Sequence, residues 1–223
     1  MIHRENTLRD IAVEHPLSTR VLERHGIDFC CGGGVTLQQA CERRGLDTET
    51  VLNEIRREIA ETGVSATRWD EEPLTALVEH ILNDYHAPLR EELQRLESMA
   101  RKVYEVHQDE EPGMLGELLK VVLGLKVELE QHMLKEEQIL FPMIQQGQGW
   151  QAEGPVSVMR QEHEEAGAAL EKLRKLTKDY EVPEKACTSW RALWAGLEAL
   201  EKALHQHIHL ENNILFPRAL KEV

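Results

Sequence analysis

The stretch His132-Met133-Leu134-Lys135-Glu136-Glu137-Gln138-Ile139-Leu140-Phe141-Pro142 is written a second time as His207-Ile208-His209-Leu210-Glu211-Asn212-Asn213-Ile214-Leu215-Phe216-Pro217. In both copies a glutamate follows a histidine at the fourth position, and Ile-Leu-Phe-Pro closes the phrase. Four residues make about one turn of α-helix, so imidazole and carboxylate share a face and reach one inward point. The residues ahead of each copy continue that face. Leu115, Leu118, Val122, Leu125, Leu129, His132, Glu136, Ile139 and Met143 follow one another at steps of three and four, and Leu193, Leu197, Leu200, Leu204, His207, Glu211 and Ile214 repeat the pattern. The histidine and glutamate of each copy therefore stand where a core leucine would otherwise stand.

Four long helices are predicted, over 73–104, 113–145, 155–180 and 184–218, separated at Pro112-Gly113, Gly147 to Pro155 and Val182-Pro183. The first carries the stripe Leu82, His86, Leu89, Leu93, Leu96, Ala100, and the third Val156, Met159, His163, Ala166, Leu170, Leu173. Short loops make sequential helices antiparallel neighbours, so residues equidistant from a loop lie at one height. The midpoints of successive histidine pairs fall at residue 109, near 148 and at 185, each in or beside a loop. His86, His132, His163, His207, Glu136 and Glu211 thus converge on one layer of an up-down four-helix bundle. Low aromatic content (4%) and the absence of alternating β-branched runs agree with an all-α fold.

Ionisable groups buried among leucines are costly unless paired or ligated, and no Lys or Arg on the stripes balances these six. Metal is the simplest compensation. Four nitrogens and two carboxylates exceed what a tetrahedral zinc ion takes, and suit two ions of higher coordination with bridging carboxylates. We assign His86 and His132 to one metal and His163 and His207 to the other, with Glu136 and Glu211 bridging. Iron is the first choice, because this mixed donor set suits both of its common oxidation states. An added oxo or hydroxo bridge leaves an open position for a small molecule, which favours redox or gas chemistry over storage. Glu128 and Glu162 are candidates for outer contacts to the ligands or for proton relay, although a solvated position is the more expected one for each. His80, His205 and His209 fall off the stripes and are expected in solvent, while His107 lies beyond the far end of the first helix, about 30 Å from the layer.

The region 1–61 reads as a small helical domain and 73–223 as the bundle, with 62–72 as linker. Pro16 suits a first helical position and Asp47 an N-cap. The adjacent Cys30 and Cys31, followed by Gly32-Gly33-Gly34, form a loop whose thiols, near backbone amides, are expected to be nucleophilic or metal-binding. Cys41 reads as helix packing and Cys187 as a loop or helix-start residue. Four cysteines so spaced make no disulfide framework and read as reduced. The formal charge of −14 excludes a concentrated basic surface for nucleic acid or anionic membrane. With neither a secretory leader nor a long uncharged stretch, the chain is expected in the cytoplasm.

Through His86, His132-x-x-x-Glu136, His163 and His207-x-x-x-Glu211, the C-terminal part resembles the hemerythrin-like di-iron fold. Gly26-Ile27-Asp28-Phe29-Cys30-Cys31-Gly32-Gly33 resembles the ScdA-type N-terminal domain. The pairing is similar to the RIC family, named for repair of iron centres. That resemblance implies a di-iron protein that helps restore iron-sulfur clusters damaged by nitric oxide or peroxide, by donating iron and by reacting with nitric oxide itself. Its partners would be damaged iron-sulfur proteins, and Cys30 and Cys31 would serve through thiol exchange, iron handling or docking. Four inward histidines, where oxygen-carrying hemerythrins have five, weaken a carrier reading. A nitric oxide reductase coupling two nitric oxide molecules, and a module that binds or senses dioxygen or nitric oxide, are the alternatives. Homodimer or monomer is left open.

Overall fold

Three of the four long helices carry a proline in mid-course, Pro88, Pro142 and Pro217, and none of them breaks there. In a regular helix proline removes one N–H, and its ring collides with the carbonyl four residues back. The computed structural model, which describes residues 2–61 and 66–221, shows how the collision is avoided. Each proline is preceded by a π turn, at Ile81–His86, Glu136–Leu140 and Leu210–Leu215. The N–H groups of Ala87, Phe141 and Phe216, each the residue before a proline, donate five residues back to the carbonyls of Leu82, Glu136 and Glu211. The wider turn keeps the helix continuous, and it shifts the inward face by one residue.

That shift overturns two expectations. Ile139 is 51% exposed, and Leu140 and Phe141 are buried in its place. Leu82 is half-buried while Ile81 is buried, so the inward step to His86 is five residues. A pattern of threes and fours has no provision for a turn of more than four residues.

Four short helices precede the bundle: α1 (Leu8–Glu14), α2 (Ser18–Arg24), α3 (Leu37–Arg44) and α4 (Thr48–Glu61). They close over Leu8, Val21, Leu22, Phe29, Leu37, Leu52 and Ile55. Thr36 and Gln39 form a reciprocal cap at the start of α3, and Asp47 accepts the Thr50 N–H at 2.8 Å at the start of α4. Pro16 lies in the turn ahead of α2 instead of opening it, and its carbonyl accepts the Thr19 hydroxyl. Part of the expected linker, 62–65, lies outside the described residues, as do the ends of the two expected domains at residues 1 and 222–223.

The bundle consists of α5 (Leu74–His80, the first π turn, Ala87–His107), α6 (Pro112–Lys135, the second, Phe141–Gln145), α7 (Glu153–Leu176) and α8 (Thr188–His209, the third, Phe216–Ala219). α5 packs against both α6 and α8, and α6 against α7. Leu96, Leu118, Leu125, Leu170, Leu193 and Leu197 fill the distal core at 0–2% exposure; each contributes about 1.5–3 kcal/mol by leaving water. The third helix ends at Leu176, short of the expected 180, because Lys178, Asp179 and Tyr180 turn left-handed with φ of 52, 58 and 59°. The Thr177 hydroxyl accepts the Tyr180 N–H there, which buries the tyrosine ring under the bundle end. Among the described residues no helix is long and apolar enough to cross a membrane.

Gly149, in the turn joining α6 to α7, lies directly on the end of α8, where an added Cβ would stand 2.6 Å from the Ala219 carbonyl oxygen. Gly149→Ala is expected to lower the unfolding free energy by about 1–3 kcal/mol, read by urea denaturation.

Candidate metal centre

All six predicted ligands meet in one layer. His86, Glu136 and Glu211 are buried to 0% exposure and His132, His163 and His207 to 2–4%. His86 Nε2 stands 3.2 Å from His207 Nε2, and His163 Nε2 3.1 Å from His132 Nε2. Their donor atoms fall into two groups, His86 with His207 and His132 with His163, each completed by both glutamates. The expected pairing of His86 with His132 and His163 with His207 is therefore wrong. Matched heights define the layer but not the partners, and the bundle closes so that α8 lies beside α5, as α6 does.

What holds the rings lies outside the expected set. His86 Nδ1–H donates to Glu137 at 2.8 Å, and Arg90 holds that carboxylate at 2.6 Å. His163 Nδ1–H donates to Asn212 Oδ1 at 3.0 Å. His132 Nδ1–H donates to Glu162 at 2.9 Å, as does the Lys135 ammonium. With Nδ1 committed outward, each Nε2 lone pair faces the layer. The fourth ring, His207, stacks on Tyr85 at 5.4 Å, while Phe141 stacks on His86 at 5.5 Å and Phe216 on His163 at 5.9 Å. Glu162, for which solvent was the favoured expectation, is half-buried and bonded to His132. Glu128 is exposed at the mouth of a cleft and bonds to none of the ligands. Glu137 and Asn212 were findable, because each directly follows a repeated glutamate.

The donor set fits cations. Both oxygens of Glu136 and Oε2 of Glu211 are buried and accept no hydrogen bond, an arrangement natural proteins avoid unless something else meets those oxygens. Burial, reinforced by the neighbouring Glu211 charge, raises the Glu136 pKa well above the carboxylate range. Burial opposes charge on Glu211 too, but His207 and His163 outweigh it and hold that carboxyl well below its usual value. Burial pushes His132 down to about 4. Two clefts reach the layer: one of about 200 Å³ between α6 and α7 touches His132 and His163, and one of about 490 Å³ between α5 and α8 touches His207 beside Tyr85.

The cysteine loop is seated against this centre. Asp28 accepts the N–H groups of Cys30, Cys31 and Gly32 at 2.9, 3.0 and 2.8 Å. Asn212, holding His163 with its oxygen, donates to the Cys30 carbonyl at 3.4 Å and toward Cys31 Sγ at 3.9 Å. Asn213 donates to the Phe29 carbonyl at 2.9 Å and accepts from Arg9 at 2.9 Å. A Cβ at Gly33 would stand 2.8 Å from the Phe29 carbonyl oxygen, so the loop needs glycine to lie this close.

Residues 77–219 match the hemerythrin HHE cation binding domain, and residues 4–58 match the ScdA_N domain, described as a domain of unknown function, DUF542. Over 220 residues, 99% of this chain and 98% of the relative, the chain is 45% identical to the iron-sulfur cluster repair protein YtfE of Cronobacter sakazakii. It is 43% identical over 220 residues to the protein of that name from Escherichia coli O157:H7, covering 99% of each. With that from Edwardsiella ictaluri it shares 42% over 223 residues, the whole of both. The chain belongs to this iron-sulfur cluster repair family.

In this member of the family the remaining histidines depart from expectation. His209 is 3% exposed because the N-terminal helices cover its face of α8, with Phe29 edge-on at 5.4 Å. The Arg9 bond fixes the Asn213 amide, so His209 Nδ1 accepts from it at 2.9 Å. His205 and His80 are half-buried, the latter stacked on Trp69 at 4.2 Å. His107 is buried at the end of α5, bonded to Cys187, the exposed N-cap of α8. Cys41 packs in the N-terminal core as expected.

Burial pushes His209 down to about 4, so between there and the usual 6.5 the unfolded chain binds the extra proton. The metal-free protein is expected to lose on the order of 2–3 kcal/mol from this residue as pH falls across that window. His209→Gln should flatten that part of the pH dependence in urea titrations at pH 7 and 5. Glu137→Gln and Asn212→Leu are each expected to weaken metal affinity about 10–100-fold in competition titrations.

Proposed function

We propose that the layer holds two iron ions, one on His86 and His207 and the other on His132 and His163, with Glu136 and Glu211 shared, in a protein that helps repair iron-sulfur clusters damaged by nitrosative and oxidative stress. The observation that carries this reading is the pair of fully buried carboxylates among four inward Nε2 atoms, three of their four oxygens accepting no hydrogen bond, in a chain similar along its full length to proteins named for that repair. Bound there, iron supplies one-electron chemistry toward nitric oxide and dioxygen. The protein's own part is positional. Glu137, Glu162 and Asn212 aim three imidazoles, Phe141 and Phe216 flank two of them, and the leucines below keep water from the carboxylates.

Iron is also cargo in this reading: it leaves the layer for a damaged iron-sulfur protein in the cytoplasm. Residues 1–61 act as a domain that brings Cys30 and Cys31 to the centre, and 73–223 as the domain that holds and releases the metal. The cleft of about 490 Å³ at His207, larger than a diatomic gas requires, favours a second reading, a nitric oxide reductase.

The deciding experiment is anaerobic purification with iron counting and visible spectroscopy, followed by reactivation of a nitric-oxide-damaged iron-sulfur enzyme. About two iron atoms per chain are expected, with Glu136→Ala losing at least half of them and failing to restore the enzyme. One tightly held zinc, unaffected by the substitution, would overturn the reading. Steady catalytic nitrous oxide production with an electron donor would favour the reductase.

A further inference from the structure

The end of the bundle remote from the histidine layer holds a second cluster of reactive side chains. His107, buried, closes α5, Glu110 follows in the connecting turn, and Cys187 is the exposed N-cap of α8. His107 Nδ1–H donates to Glu110 Oε1 at 3.3 Å, which leaves Nε2 facing Cys187 Sγ, also at 3.3 Å. Thiol, imidazole and carboxylate thus stand in line, the order of a nucleophile, its base and the group that orients the base. The 21 residues from Ala87 to His107 put this cluster about 30 Å from the metal layer, too far to hold or aim a ligand there.

The surroundings prepare the thiol as an anion. The Trp190 N–H in the first turn of α8, the His107 ring and the Ser189 N–H lower the Cys187 pKa. Cys187 in return raises that of His107, which stands in the last turn of α5, where the helix dipole favours positive charge. Two other thiols are tuned the opposite way: the Cys31 neighbour and burial raise Cys30, and burial raises Cys41. A separate observation shows what the cluster lacks. Trp190 is 1% exposed with its ring 4.9 Å from that of His107, and among the described residues its indole N–H has no acceptor. Buried donors are seldom left so, and an oxygen atom is what would satisfy one. The cluster therefore suits a small oxygen-bearing reagent whose departing atom needs the imidazolium proton.

We propose that Cys187 is a site of oxidation by hydroperoxides, with His107 as proton donor and Glu110 as the residue that positions it. The thiolate attacks one peroxide oxygen. An S–O bond forms as the O–O bond breaks, and the electron pair leaves with the second oxygen, which takes the Nε2 proton and departs as water or an alcohol. Cys187 sulfenic acid and a neutral His107 remain. Sulfur loses two electrons and the peroxide gains two, so no further reactant is required, and the step is independent of what the histidine layer binds.

Hydrogen peroxide is the probe, with the full-length protein as purified, dimedone present to trap sulfenic acid and peptide mapping to locate it. Alkylation by iodoacetamide, whose leaving iodide needs no proton, is the reference reaction. At pH 7 Cys187 is expected to react with each reagent about tenfold faster than N-acetylcysteine does. His107→Gln should slow the peroxide reaction about tenfold more than the alkylation. Glu110→Gln, a surface substitution that leaves the packing of the bundle end intact, should slow the peroxide reaction about threefold more than the alkylation. Cys187 oxidised no faster than N-acetylcysteine, or a ratio of the two rates unchanged in both variants, would overturn the proposal.

Discussion

Everything in the bundle is arranged around two carboxylates that water cannot reach. Glu136 and Glu211 sit at 0% exposure on diagonally opposed helices, and both oxygens of Glu136 and one of Glu211 accept no hydrogen bond. Burial of that kind costs several kcal/mol per ion unless a positive charge compensates. Burial and the neighbouring carboxylate push the Glu136 pKa well above its usual range, while His207 and His163 hold that of Glu211 well below it. Carboxylate ligands bind metal in the ionised form, so a cation entering here works against the burial that favours a proton on Glu136.

The internal repeat has a meaning at each position, beyond the ligands themselves. The residue after the glutamate aims a histidine of the preceding helix: Glu137 aims His86, and Asn212 aims His163. The phenylalanine of the closing phrase stacks on that same ring. The proline requires the wide turn that swings glutamate and phenylalanine to these places. The repeated phrase gives the two halves an approximate twofold correspondence. Where the halves differ, specialisation shows. Glu162 precedes His163 and anchors His132, while Tyr85 precedes His86 and merely stacks on His207. Gln138 is exposed, but its counterpart Asn213 is buried under the N-terminal domain.

Helix number, order and the six inward residues were legible because leucine periodicity and loop midpoints are local properties that antiparallel packing converts into heights. The partners of each histidine were not, since lateral neighbours depend on how the bundle closes. Ile139 misled for a different reason: Pro142 signalled a local disturbance, yet continuity through a π turn depends on tertiary support that no spacing encodes. His209 was read as solvated because its helix face carries no leucine stripe, and the surface that covers it, Phe29 and the Cys30 loop, is about 180 residues away in the chain.

Asn212 and Asn213 are consecutive, yet their amides serve different masters, one the histidine layer and the other the loop of another domain. Both ride on the same π turn as Glu211. Any rearrangement of that turn, such as a change of hydrogen-bonding step from five residues to four, would rotate all three side chains by roughly a sixth to a quarter of a circle. The turn is thus a crankshaft: ligand, outer support and domain clasp cannot be adjusted singly. A substitution that disturbs this turn touches three functions at once, whereas the equivalent turn in α6 carries no clasp and leaves Gln138 exposed.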